Sequence, residues 1–186
     1  MKKVVFIISH LHSGSTDLVN SLNKHPQFKI QEYQTNYSSP LDLLPLYANG
    51  EFDHAGIYYG DHLLYNHNFT CKALLSMCKF IYVIRSAKPT LNLLANHSLN
   101  YYSFRLRRIY EMARETPEAV FLTWTNLAAK KGMDLIEDYL NLESPIELIG
   151  DFEKEVPDKI TVPSEAEDCY EKHLYLVKKL NIRIIH

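Results

Sequence analysis

Three stretches of the chain are apolar almost without interruption: Val4-Val-Phe-Ile-Ile8, Lys79-Phe-Ile-Tyr-Val-Ile-Arg85 and Val120-Phe-Leu-Thr-Trp124. Runs of this length, rich in β-branched and aromatic residues, predict strands buried on both faces. A weaker alternation over residues 28–33 predicts a fourth, short strand. Between these runs the apolar period changes. Leu18, Val19 and Leu22 recur at helical spacing after the first strand. Helices are also expected at 41–47, at 71–78, in one or two pieces over 91–114, and at 133–140. Residues 51–68 are polar, aromatic and rich in histidine, and predict a loop or short helix crossing the face of the sheet. Residues 144–163, rich in acids and prolines, predict a long loop. A last helix is expected at 164–180, with Ser164 as N-cap and Glu167 as its capping-box partner. Strands separated by helices point to an α/β fold, a three-layer sandwich around a central parallel sheet.

With 186 residues and 46% hydrophobic content, the chain can bury a full core without disulfides or metal. A single domain over 1–186 is expected, with its core at about 1–142, the loop at about 144–163 and the C-terminal helix at about 164–180. Twenty basic against 22 acidic residues leave a formal charge of −2, which argues against nucleic acid as a partner. Cys71, Cys78 and Cys169 are odd in number and not spaced as a zinc site. They read as reduced thiols in a soluble, cytoplasmic protein. The first apolar run is too short for a signal peptide or a membrane span. His10 and His12 lack a third ligand, so no metal is expected. Nothing in the sequence fixes an oligomeric state.

The first strand runs into Ser13-Gly-Ser-Thr16 and then into a helix. Free amides at such a helix start hold phosphate or sulfate oxygens. Gly14 allows close approach, and Ser13, Ser15 and Thr16 add hydroxyls. An ordinary Ser/Thr-capped connection has the same residues. With no lysine, the loop is not a Walker A motif. Arg85 falls at the carboxyl edge of the second buried strand, where open α/β sheets place ligands. It suits a bidentate grip on phosphate, or simply caps a strand end. Arg105, Arg107, Arg108 and Arg114 are expected on a solvated helix face.

Leu11-His-Ser-Gly-Ser-Thr-Asp-Leu18 resembles the 5'-phosphosulfate loop of sulfotransferases, often P-R-S-G-T-T-L-L, and Asn23-Lys-His-Pro-Gln-Phe28 is similar to the L-x-x-H-P that follows it. Lys79 to Leu91 resembles the segment K-F-I-x-L-x-R-x-P, and Ala119-Val-Phe-Leu-Thr-Trp-Thr-Asn-Leu127 is similar to the strand and turn v-l-x-l-x-Y-E-D-L. Over residues 4–142 the chain thus resembles sulfotransferases that use 3'-phosphoadenosine-5'-phosphosulfate (PAPS), of the compact type related to bacterial carbohydrate and tyrosyl-protein enzymes.

The resemblance implies a P-loop-like sulfotransferase fold and transfer of a sulfuryl group from PAPS to a hydroxyl acceptor, a carbohydrate or small molecule. It implies that His12, Ser13, Gly14, Ser15 and Thr16 hold the 5' side of the nucleotide and Arg85 its 3'-phosphate. Trp124 would stack near adenine, and Glu32 would act as base. His12 stands where relatives carry lysine or arginine, so activity is expected to be weak or pH-dependent. The family's phosphate-binding serine falls on Leu93, so either Asn92 substitutes for it or that contact is missing, and a second basic position falls on His97. Gly60-Asp-His62 resembles G-D-K-x-P, which makes His62 a candidate near the transferred group. Two alternatives stay open: a nucleotide-binding protein of this fold with weakened catalysis, and an ATP-using P-loop phosphotransferase. The second lacks a loop lysine and an Asp–Mg²⁺ partner.

Overall fold

The computed structural model describes residues 3–32, 37–44, 57–64, 72–94, 98–150, 160–180 and 183–184. Among the described residues six strands form one sheet: β1 Lys3–Ser9, β2 Phe28–Gln31, β3 Tyr58–Leu63, β4 Lys79–Ile84, β5 Val120–Thr123 and β6 Arg183–Ile184. Their order is β2-β3-β1-β4-β5-β6, and every neighbouring pair runs parallel. Seven α-helices occur among the described residues. They are α1 Ser15–Lys24, α2 Lys72–Met77, α3 Ala87–Leu93, α4 Leu99–Glu115, α5 Trp124–Ala128, α6 Lys131–Leu140 and α7 Ser164–Lys178.

The apolar runs are continuous because both faces of the sheet are covered. Phe6, Ile8, Phe80, Tyr82 and Phe121 share one core with Leu91 of α3, Leu106 and Ile109 of α4, and Tyr170 of α7. Val5, Ile7, Ile81, Val83 and Leu122 share the other with Leu18 and Leu22 of α1, Leu127 of α5 and Ile136 of α6. The result is the expected three-layer α/β arrangement. β1 and β4 are neighbours, yet the helix after β1 covers one face and the helices after β4 cover the other. Such a divergence opens a crevice at the carboxyl edge between two strands.

Several elements differ from the sequence expectation. Tyr58–Leu63 lies in the stretch expected to be a loop or short helix, but it is a buried strand between β2 and β1. Its polar residues tolerate burial because they have partners. Tyr37 Oη donates to Asp61 Oδ2 at 2.6 Å, and both nitrogens of His62 are engaged. Gly60 is required there, since a Cβ would run into the Val5 carbonyl. The helix expected at 41–47 is described as far as residue 44, and it is a 3₁₀ turn over Pro40–Leu43. The helical stretch after β4 divides into α3 and α4.

The capping box expected at Ser164 is absent: Pro163 holds the cap position and no side-chain cap bond forms. Glu167 faces α3 instead, where its carboxylate accepts from the Lys88 amide at 2.7 Å and so serves that helix's first turn. Residues 144–150 and 160–163 carry no helix or strand, and 151–159 lie outside the described residues. No helix among the described residues is long and apolar enough to cross a membrane.

Candidate functional site

β1 ends at Ser9, and residues 10–14 turn the chain into α1. His12 and Gly14 take left-handed backbone, with φ of 59° and 86°. Glycine does so freely, and histidine is among the side chains found there more often than most. Gly14 is the N-cap of α1 and no side chain caps the helix. The amides of Ser15 and Thr16 therefore open the helix without intrahelical acceptors and carry the positive end of its dipole. Thr16 is exposed, whereas Ser13 and Ser15 are buried.

Behind the loop lies a polar chain. Ser15 Oγ is 2.7 Å from Ser9 Oγ, accepts from Ser13 Oγ at 3.1 Å, and lies 2.8 Å from His62 Nε2. The other ring nitrogen of His62 is 3.1 Å from Glu32 Oε1. Glu32 follows the end of β2 with its side chain about half exposed. The register sets His62 beside Ile7 on β1, so its ring and Ser9 face α1 together. The loop and Glu32 are thus brought together, with His62 as the link. Burial pushes the pKa of His62 down, against the opposing pull of Glu32.

Arg85 lies at the end of β4, next to the loop. Its Nη1 donates to the His12 carbonyl at 3.3 Å, and its guanidinium stacks over the Trp124 ring at 4.1 Å. The residue is only 9% exposed, its Nε is buried with no hydrogen-bond partner, and no carboxylate pairs with it among the described residues. Burial pushes its pKa down. The backbone beneath is clamped: Arg85 N donates to His10 Nε2 at 3.0 Å and Tyr102 Oη donates to Arg85 O at 2.8 Å. The guanidinium therefore stands on a fixed base, facing the loop.

His10, Tyr102 and Arg105 are residues that sequence reasoning did not assign to the site. His10 Nδ1 lies 2.8 Å from the Leu11 carbonyl and so donates, while Nε2 accepts from Arg85. The ring is thereby fixed in its neutral form. Burial pushes its pKa down to about 4. The unfolded chain binds the proton between that value and the ordinary 6.5, so folding stability rises with pH across this window and is lost as pH falls. The loss should reach roughly 3 kcal/mol by pH 4. Urea unfolding at a series of pH values should show it, and His10→Gln should flatten the curve. An unchanged pH slope in that variant would refute the assignment.

Arg105 does not lie on a solvated face. Arg107 and Arg108 pair with Glu111 and Arg114 with Glu115 at the surface, but Arg105 is 1% exposed. Its position on α4 faces the sheet edge, where Nε donates to Ser9 O and Nη2 to Leu63 O, both at 2.8 Å.

The remaining candidates divide. Trp124 opens α5 and packs on Arg85. Asn92 is 2% exposed and tied to backbone through both amide atoms, donating to Lys88 O at 2.9 Å and accepting from Ile160 N at 3.0 Å. Its amide holds α3 and the 160 segment together. His12 projects outward, and burial of part of its ring together with the charge of Arg85 pushes its pKa down. His97 lies outside the described residues.

No family model matches the chain, and no curated protein matches it. The chemistry of the site therefore rests on its own geometry.

Proposed function

We propose that the protein is a PAPS-dependent sulfotransferase with a P-loop-like sulfotransferase fold, acting on a hydroxyl of a carbohydrate or other small molecule. Arg85 carries this reading. A buried guanidinium with an unpartnered Nε sits one strand from a helix N-terminus lined with serines. Burying such a cation without a counter-charge costs several kcal/mol, and an oxyanion beside it offsets that cost. A nucleotide phosphorylated on both ribose sides would set its 5' end against the Ser15 and Thr16 amides and its 3'-phosphate on Arg85. Trp124, stacked against Arg85, would lie beside adenine at the same edge.

In this reading an acceptor oxygen attacks sulfur, and the bond from sulfur to the bridging phosphate oxygen breaks. The acceptor proton passes to Glu32, whose second oxygen has no partner among the described residues. Charge left on the 5'-phosphate is met by the loop amides and hydroxyls. The site holds no permanent cation within the loop, and His12 is biased toward its neutral form. That observation favours a second reading, a nucleotide-binding protein of the same fold with slow turnover.

The bisphosphate product, 3'-phosphoadenosine-5'-phosphate, should raise the melting temperature, while ATP with Mg²⁺ should not. Turnover of labelled PAPS against hydroxylated acceptors, lost in Glu32→Ala, would separate the first reading from the second. Equal stabilisation by ATP, or none by the bisphosphate, would overturn both.

A further inference from the structure

Ser15 Oγ has a single proton, and its surroundings decide where that proton points. A carboxylate only accepts, so the His62 Nδ1 beside Glu32 carries a hydrogen. In neutral His62 the Nε2 is then bare and takes the Ser15 proton at 2.8 Å. The lone pairs of Ser15 are left to accept from Ser9 and Ser13. Serine, histidine and carboxylate in this order resemble an acyl-transfer triad. Ser15, however, is 2% exposed and has both lone pairs engaged, so the chain is built to place a proton rather than to attack.

An oxyanion at the start of α1 draws on hydroxyl donors, and the first turn offers two, the exposed Thr16 and the buried Ser15. If Ser15 points its proton at the anion, His62 Nε2 keeps only Ser9, at 3.2 Å. One added proton repairs this arrangement. Nε2–H then donates to Ser15 Oγ, on the lone pair that Ser9 frees by turning its own proton away, while Nδ1–H stays on Glu32. We propose that oxyanion binding at the loop is linked to protonation of His62, so that Ser15, His62 and Glu32 together supply the positive charge the loop lacks. His62 is a positioning residue here, acting through Ser15. The inference rests on the anion-site reading above and not on Glu32 as base.

The groups facing His62 fit a poised site. Ser9 of β1 and Ser15 of α1 are neutral, and Glu32 after β2 favours the imidazolium. Arg105, reaching from α4 to the Ser9 and Leu63 carbonyls, opposes it, as burial does. Asp61, next on β3, is held on the opposite face by Tyr37. The helix N-terminus does not stand alone as a site, because the nine-tenths-buried Arg85 with its unpartnered Nε lies against the same loop.

Titration calorimetry on the full chain tests the linkage, with sulfate and with 3'-phosphoadenosine-5'-phosphate in buffers of different protonation enthalpy. Sulfate has no titration of its own near neutrality. Uptake of up to about one proton per ligand is expected, absent in His62→Gln and reduced in Glu32→Gln. Affinity should fall as pH rises through the histidine range. Nitrogen NMR of His62 in the unaltered chain should pass from one protonated ring nitrogen to two on adding sulfate, which covers a variant that fails to fold. Sulfate binding with proton uptake but no binding of the bisphosphate would keep the linkage and overturn the nucleotide reading. Binding of the bisphosphate without uptake, or with uptake unchanged in His62→Gln, would overturn the linkage and keep that reading. No binding of either anion would overturn both.

Discussion

Replacing Arg85 with glutamine is expected to weaken binding of 3'-phosphoadenosine-5'-phosphate by roughly 30- to 200-fold. That range is about 2–3 kcal/mol, the upper part of the roughly 1.5–3 kcal/mol of one charge-assisted hydrogen bond. Arg85→Lys should recover little of it, because an ammonium cannot reproduce a planar two-point contact or the stack on Trp124. The free protein should behave differently. Removing a buried cation that, among the described residues, has only the His12 carbonyl and an aromatic face for company relieves a desolvation cost. The lost stack offsets part of that relief. Unliganded stability should therefore stay within about 1 kcal/mol of the parent, since His10 and Tyr102 still hold the backbone at this position. Calorimetric titration and urea unfolding of the same samples check both halves. A variant that binds within about threefold of the parent would show that Arg85 does not meet phosphate.

Arg105→Ala should be the most destabilising single change at the sheet edge, at about 3–5 kcal/mol. It leaves a cavity beneath α4 and strips the Ser9 and Leu63 carbonyls of their donors. Arg105→Met fills much of the space but donates nothing, so its cost isolates the two hydrogen bonds. About 2 kcal/mol is expected for that variant. Because these carbonyls end β1 and β3, the methionine variant should also loosen the Ser9–Ser15–His62 contacts and weaken anion binding. Buried charges can be replaced by apolar groups without loss. A methionine variant as stable as the parent would therefore show that Arg105 contributes packing and no net bonding.

Much of this frame is legible in the residues. Continuous apolar runs mark β1, β4 and β5, because a parallel sheet covered on both faces tolerates no polar alternation. The Ser13–Thr16 turn and Arg85 stand out because each follows such a run with hydroxyls or a guanidinium, groups whose chemistry suits an anion. β3 is concealed for the opposite reason. Gly60, Asp61 and His62 look like loop residues, and only long-range partners (Tyr37 on one face, Ser15 and Glu32 on the other) make their burial affordable. No local pattern reports such partners. Arg105 is misplaced in a sequence reading because its neighbours Arg107 and Arg108 do face solvent, and a single inward position in a basic run leaves no periodic trace. Asn92 sits beside the position where the resemblance asks for a phosphate donor, yet its amide is drawn to the Ile160 backbone, far away in sequence. His10 and Tyr102, which hold Arg85 from beneath, carry no motif at all.

The most direct measurement is a crystal structure of the protein with 3'-phosphoadenosine-5'-phosphate. The 5'-phosphate should lie against the amides of Ser15 and Thr16, with the 3'-phosphate on the guanidinium of Arg85 in the same crevice. A nucleotide bound away from the start of α1, or with neither phosphate on Arg85, would contradict the shared site.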